Sequence, residues 1–132
     1  MARTESEHPT ELELEFLKVL WDESPLLVRD VRARLEEHAG RVLAHSSVIT
    51  ILNIMHRKGY VKRRKEGKSF WFTPDVQRDS VSGRMMSDML SRLFDGSPSA
   101  MVLNLLEAAD VDAEELAEIR KLIARRTREN KQ

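Results

Sequence analysis

Residues 46–58 read Ser46-Ser47-Val48-Ile49-Thr50-Ile51-Leu52-Asn53-Ile54-Met55-His56-Arg57-Lys58, and Gly59 follows. At about 100° per residue, Val48, Ile51, Leu52 and Met55 fall on one face of a helix. Ser46, Thr50, Asn53 and Arg57 fall on the opposite face, within roughly 60° of one another. That outer face holds no Glu and no Lys, the residues that usually solvate a helix. Ser, Thr and Asn are mediocre helix formers, because their side chains compete for the backbone. Short groups that both donate and accept hydrogen bonds are what reading base edges in a major groove requires. The spacing predicts a helix that starts at Ser46 or Ser47 and ends at Lys58, with Gly59 as its left-handed cap. Ser46 also suits a plain N-cap, and an N-cap beside a phosphate does both jobs.

Beyond Gly59 the apolar period shortens to two. Tyr60-Val61-Lys62-Arg63-Arg64 reads as a strand, Lys65-Glu66-Gly67-Lys68 as a turn, and Ser69-Phe70-Trp71-Phe72-Thr73 as a returning strand that Pro74 ends. Upstream, Thr10 and Glu13 have capping-box spacing and open a first helix carrying Leu12, Phe16, Val19 and Leu20, through Trp21 to the break at Ser24-Pro25. Val28, Val31 and Leu35 mark a short second helix that stops near Gly40. Residues 1–9 are polar and are expected to form a disordered tail. Three helices and a two-stranded hairpin over residues 10–74 give the order of a winged helix-turn-helix, in a chain that is mainly α with a small β-hairpin. In that arrangement the third helix enters the major groove and the wing reaches the phosphate backbone.

The 132 residues carry 22 basic and 22 acidic side chains, so the net charge is zero and a globally basic nucleic-acid binder is excluded. The zero conceals a division: residues 57–73 carry a net +6 (Arg57, Lys58, Lys62, Arg63, Arg64, Lys65 and Lys68 against Glu66), while the flanks are acidic. Screening confines such fields to roughly 8 Å at physiological salt, so a polyanion would feel the patch rather than the total. Taken alone, the patch is also compatible with a solvated hairpin. The absence of cysteine excludes disulfides, thiolate metal sites and cysteine nucleophiles. No apolar stretch approaches the about 20 residues of a membrane span, and a cytoplasmic protein without membrane insertion is expected. His8, His38, His45 and His56 form no HExxH motif, and neither a Gly-rich phosphate loop nor a nucleophile elbow occurs, so no enzyme and no cofactor are expected.

Residues 75–132 read as a second, helical domain. Val81, Met85, Met89, Leu90, Leu93 and Phe94 make one broad apolar stripe, ending at Gly96. Met101, Val102, Leu103, Leu105 and Leu106 make a helix over about 99–108 apolar on most sides. Asp112 and Glu115 then resemble a capping box before Leu116, Ile119, Leu122 and Ile123. So short a segment cannot bury these side chains alone, and a symmetric dimer would cover them. Met85, Met89, Leu93, Met101, Val102, Leu105, Leu106, Leu116, Ile119 and Ile123 are the candidate dimerisation residues; a fold-back onto the winged domain is the alternative.

The chain resembles the penicillinase and methicillin-resistance repressors (the BlaI/MecI/CopY family) from about Thr10 to Arg125. The resemblance rests on Leu14-Glu15-Phe16-Leu17-Lys18-Val19-Leu20-Trp21, on Ser46 to Asn53 with Lys58-Gly59, on Gly67-Lys68, and on Met101-Val102-Leu103-Asn104-Leu105-Leu106-Glu107, in that order. It implies a homodimeric repressor of β-lactam resistance or other stress genes, bound to TACA…TGTA-like operators and held together by a C-terminal helical domain. It also implies a membrane metalloprotease partner that triggers release, with cleavage at Asn104–Leu105. Leu105 stands where the family usually has Phe, and Ile54 where it commonly has Arg. The copper-responsive branch needs a cysteine motif, which this chain lacks.

The candidate DNA contacts are therefore Ser46, Ser47, Thr50 and Asn53 at base edges or nearby phosphates, His45 at a phosphate, and Arg57, Arg63, Arg64, Lys65 and Lys68 at the backbone. His45 is equally compatible with an uninvolved surface side chain. Two other classes remain open: a helical protein-interaction adaptor without DNA, and a metal-responsive regulator using His and carboxylate ligands.

Overall fold

The computed structural model describes residues 8–131. The tail expected over 1–9 lies outside them except for His8 and Pro9, and Pro9 is buried. The chain forms two compact units, one reaching to Ser87 and the other beginning at Asp88.

The first unit opens where capping chemistry requires it. Thr10 Oγ1 accepts from the Glu13 N–H at 3.2 Å, and Glu13 Oε1 accepts from the Thr10 N–H at 2.9 Å. This complete capping box starts α1 (Glu11–Asp22). A two-residue strand, β1 (Leu26–Leu27), leads into α2 (Val28–Ala39), which Gly40 ends in the left-handed conformation. Helix α3 (His45–Lys58) ends at Gly59, whose φ of 86° suits glycine and lets the chain turn at once into the sheet.

Strands β2 (Val61–Glu66) and β3 (Ser69–Pro74) pair antiparallel, with Arg63 opposite Phe72 and Lys65 opposite Phe70. The turn is tighter than the sequence suggests: Lys65 and Glu66 belong to β2, and Gly67 reverses the chain at φ 62°. The sheet also has three strands rather than two, in the order β1-β3-β2, with Leu26 opposite Phe72.

Phe16, Leu17 and Leu20 of α1, Val31 and Leu35 of α2, and Val48, Leu52 and Met55 of α3 pack with Val61 and Phe72 into one core. A buried carboxylate crosses it. Glu13 is only 4% exposed, and its carboxylate accepts from Lys58 Nζ at 3.0 and 3.2 Å. One side chain therefore closes the N-terminus of α1 and grips the C-terminus of α3. On the far side, Trp21 Nε1 donates to the Val76 carbonyl at 2.9 Å, tying α1 to the segment after β3.

Helix α4 (Arg78–Leu93) begins in this first unit, where Val81 is buried. The sequence boundary at Pro74 thus falls before the first turns of α4, which the first unit includes. The second unit holds the end of α4, then α5 (Pro98–Ala108) and α6 (Ala113–Asn130). Ser97 Oγ accepts from the Ala100 N–H, and Asp112 Oδ1 from the Glu115 N–H at 2.9 Å. Neither α5 nor α6 contains a buried residue. Among the described residues no helix is long and apolar enough to cross a membrane.

Glu13→Ala removes a cap and strands Lys58, and is expected to destabilise the protein by roughly 2–4 kcal/mol in urea unfolding. Glu13→Gln keeps the acceptor for the Thr10 N–H and should cost clearly less. Equal losses would mean that only the charge matters.

Candidate nucleic-acid interface

Helix α3 is seated by its apolar stripe. Val48, Leu52 and Met55 are fully buried, Ile51 and Ile54 are half-buried, and His45, Ser46, Ser47, Thr50, Asn53 and Arg57 are exposed. The helix starts one residue earlier than the sequence suggests. Ala44, in extended conformation, is the N-cap and makes no side-chain cap bond. Ser46 is therefore not the cap, and neither Ser46 nor Ser47 uses its hydroxyl to close the helix. Thr50 Oγ1 donates to the Ser46 carbonyl at 2.9 Å, so its proton is engaged inward while its lone pairs face out.

Alternation along β2 puts Arg63 and Lys65 on the same face as Val61, and Lys62 and Arg64 on the other. Arg63 Nη1 donates to Asn53 Oδ1 at 2.9 Å, and its guanidinium carbon lies 5.0 Å from the centroid of the Phe70 ring. The wing and α3 thus meet through two residues that the sequence assigned separately. Lys62 pairs with Asp75 at 3.4 Å and Arg64 with Glu66 at 3.5 Å. These exposed pairs are weak and would exchange readily for phosphate. Arg57, Lys65 and Lys68 form no ion pair with any described residue.

Between α3 and the wing runs a groove of about 380 Å³, lined by His45, Ile49, Asn53, Arg63, Lys68 and Phe70 together with Arg29 at the start of α2. The sequence reading omitted Arg29 and Ile49. Both had a signal: Ile49 is apolar yet lies off the core stripe and is 38% exposed, and Arg29 sits in the first turn of the supporting helix.

The turn before α3 is braced from behind. Arg32 Nε donates to the Leu43 carbonyl at 2.8 Å, and Arg41 makes a two-point contact with Glu15, Nε to Oε2 at 2.9 Å and Nη2 to Oε1 at 3.0 Å. The Arg41 hydrogen bond holds the Glu15 carboxyl below the usual carboxylate range.

The apolar candidates are distributed along the last three helices. Met85, Met101, Leu106 and Ile119 are half-buried, while Met89, Leu93, Val102, Leu105, Leu116 and Ile123 are exposed. Asn104 and Leu105 are exposed and lie inside α5. Among the described residues no group of three or more His, Cys, Asp or Glu side chains is placed to hold a metal ion.

A lowered folded-state value means that the Glu15–Arg41 tie is present above the ordinary carboxylate range and is lost as pH falls through that lowered value. In a carbon-detected NMR titration, the half-buried Glu15 should therefore titrate below the usual carboxylate range. Arg41→Ala should raise its midpoint towards the ordinary carboxylate value; an unchanged midpoint would contradict the tie.

The penicillinase repressor family matches residues 9–125. The chain is similar to a penicillinase repressor of Bacillus licheniformis, 27% identical over 86% of this chain and 88% of the relative. It is also similar to the transcriptional regulator BlaI of Mycobacterium tuberculosis, 29% identical over 86% of this chain and 81% of that one. Among solved structures, RosR of H. salinarum shares the fold, with a TM-score of 0.51 at 16% identity over 93% of this chain and 97% of that one. A family match over nearly the whole length, on three helices and a winged sheet in that order, means that the chain belongs to the penicillinase repressor family.

Proposed function

We propose that this transcriptional repressor acts as a homodimer that occupies a TACA…TGTA-like palindromic operator and blocks transcription in the cytoplasm. The observation that carries the reading is the pairing on one face of an exposed polar helix with unpaired cations. Ser46, Ser47, Thr50 and Asn53 offer small hydrogen-bonding groups, and Arg57 on α3 with Lys65 and Lys68 on the wing have no carboxylate partner among the described residues. A helix of this kind fits a major groove, and free cations beside it supply the sequence-independent part of affinity through counterion release. His45 sits at the helix N-terminus, where backbone N–H groups also favour a phosphate. Arg64 joins the backbone contacts once Glu66 is displaced.

The homodimer is supported by the second unit. Leu105 and Ile123 are 54% and 57% exposed on helices without a buried residue, and a second copy is the cover that a symmetric assembly offers. A two-fold protein expects half-sites about one helical turn apart, or a multiple of that. Release by a membrane metalloprotease antirepressor would act at Asn104–Leu105. Because that bond lies within α5, cutting it requires the helix to open locally first.

Fluorescence anisotropy across a salt series tests the reading, using the palindromic duplex and a scrambled control. Two protomers should bind the palindrome alone, and Thr50→Ala with Asn53→Ala should weaken it about tenfold or more. Lys65→Ala and Lys68→Ala should each lower the slope of log affinity against log salt by about one. Equal binding to both duplexes would contradict operator recognition. No binding to either at low salt would favour a protein-interaction adaptor.

A further inference from the structure

We infer that Arg63 is a specificity-determining residue: it fixes the Asn53 carboxamide as a hydrogen-bond donor, so that α3 reads a guanine or thymine rather than an adenine at one position of each half-site. The inference rests on the repressor reading above and deepens it.

The argument begins with what a guanidinium can do. It carries five N–H donors and no acceptor, so only the carbonyl of a carboxamide can face it. Arg63 Nη1 lies 2.9 Å from Asn53 Oδ1, which commits that oxygen to the wing and leaves the NH₂ of the exposed Asn53 as the carboxamide's donor group. The guanidinium does not swing freely, because it lies against the Phe70 ring, 5.0 Å from its centroid. Phe70 is in turn half-buried against the core. The orientation of Asn53 is thus set through a chain of contacts that ends in packed side chains.

An unrestrained Asn pairs with adenine by accepting from N6–H and donating to N7 at once. Here Arg63 engages the carbonyl oxygen, so the NH₂ is the group left to lead the contact with a base. That NH₂ matches guanine N7 and O6 or thymine O4, whereas at adenine it can donate to N7 only and opposes the N6 amino group donor to donor. Arg63 would then act through Asn53 as a positioning residue rather than as a phosphate contact, unlike Lys65 on the same strand face.

The test measures operator affinity with each of the four bases at every half-site position. The proteins are the full-length wild type, Asn53→Ala, Arg63→Ala and Arg63→Lys. Wild type should show one position that favours guanine or thymine over adenine by about tenfold, and Asn53→Ala should erase that preference there and nowhere else. Both Arg63 variants should reduce the same preference to about twofold or less, with the other positions and the salt slope unchanged. Arg63→Lys keeps the charge but loses the planar fork, so it separates orientation from electrostatics. Because both residues are exposed, the unfolding midpoints should not move. Uniform weakening by Arg63→Ala across all bases, with the slope lowered by about one, would make Arg63 a phosphate contact and overturn the inference. A wild-type preference for adenine at the Asn53-dependent position would overturn it equally. If wild type failed to distinguish operator from scrambled duplex, the repressor reading itself would fail first.

Discussion

A helix can bury only one of its faces against a small core, and α3 buries Val48, Leu52 and Met55. That choice determines the position of every polar residue on the helix. At about 100° per residue, the seating of Leu52 sends Asn53 toward the wing and Ser46, Thr50 and Arg57 outward. A register shift of one residue would bring Asn53 or Ile51 to the centre of the core instead. The polar surface is thus a geometric consequence of the hydrophobic one, and the two cannot be altered independently.

Holding that helix still is the work of a few polar ties at its ends. Lys58 is gripped by the buried Glu13, and the preceding turn is held by Arg41 on Glu15 and Arg32 on Leu43. Both carboxylates come from α1, so the first helix acts as the rigid back of α3. The proposed recognition by short side chains would demand this, because Ser, Thr and Asn have little reach with which to compensate for a displaced backbone. The Arg63–Asn53 bond extends the same logic to the wing, which is fixed to α3 instead of hanging free.

Most of the fold was legible because it is written in local chemistry. The Thr10–Glu13 box, the left-handed glycines after α2 and α3, and the apolar stripe of α3 each act over a few residues. β1 was not legible, since two leucines have no period and become a strand only by pairing with Trp71 and Phe72. The start of α3 at His45 was missed because the extended Ala44 caps it without a side-chain signal. The exposed positions of Ser46, Thr50, Asn53 and Arg57 follow from the helix period, whereas Arg63 and Lys65 are exposed although they share a strand face with the buried Val61. The link between Asn53 and Arg63 follows from neither period, because it joins two elements across the groove. The same limit explains why Arg29 and Ile49 were overlooked and why Arg63 looked like one more cation of the patch.

The most direct test of the central claim, that the outer face of α3 and the wing together form the DNA-binding surface, is an amide chemical-shift map of the full-length protein titrated with the operator duplex. The account predicts that the largest changes cluster at His45–Arg57 and Lys62–Lys68, with smaller ones at Arg29 and little along the core face of α1. Changes confined to α4, α5 and α6, with α3 and the wing silent at saturating duplex, would contradict it.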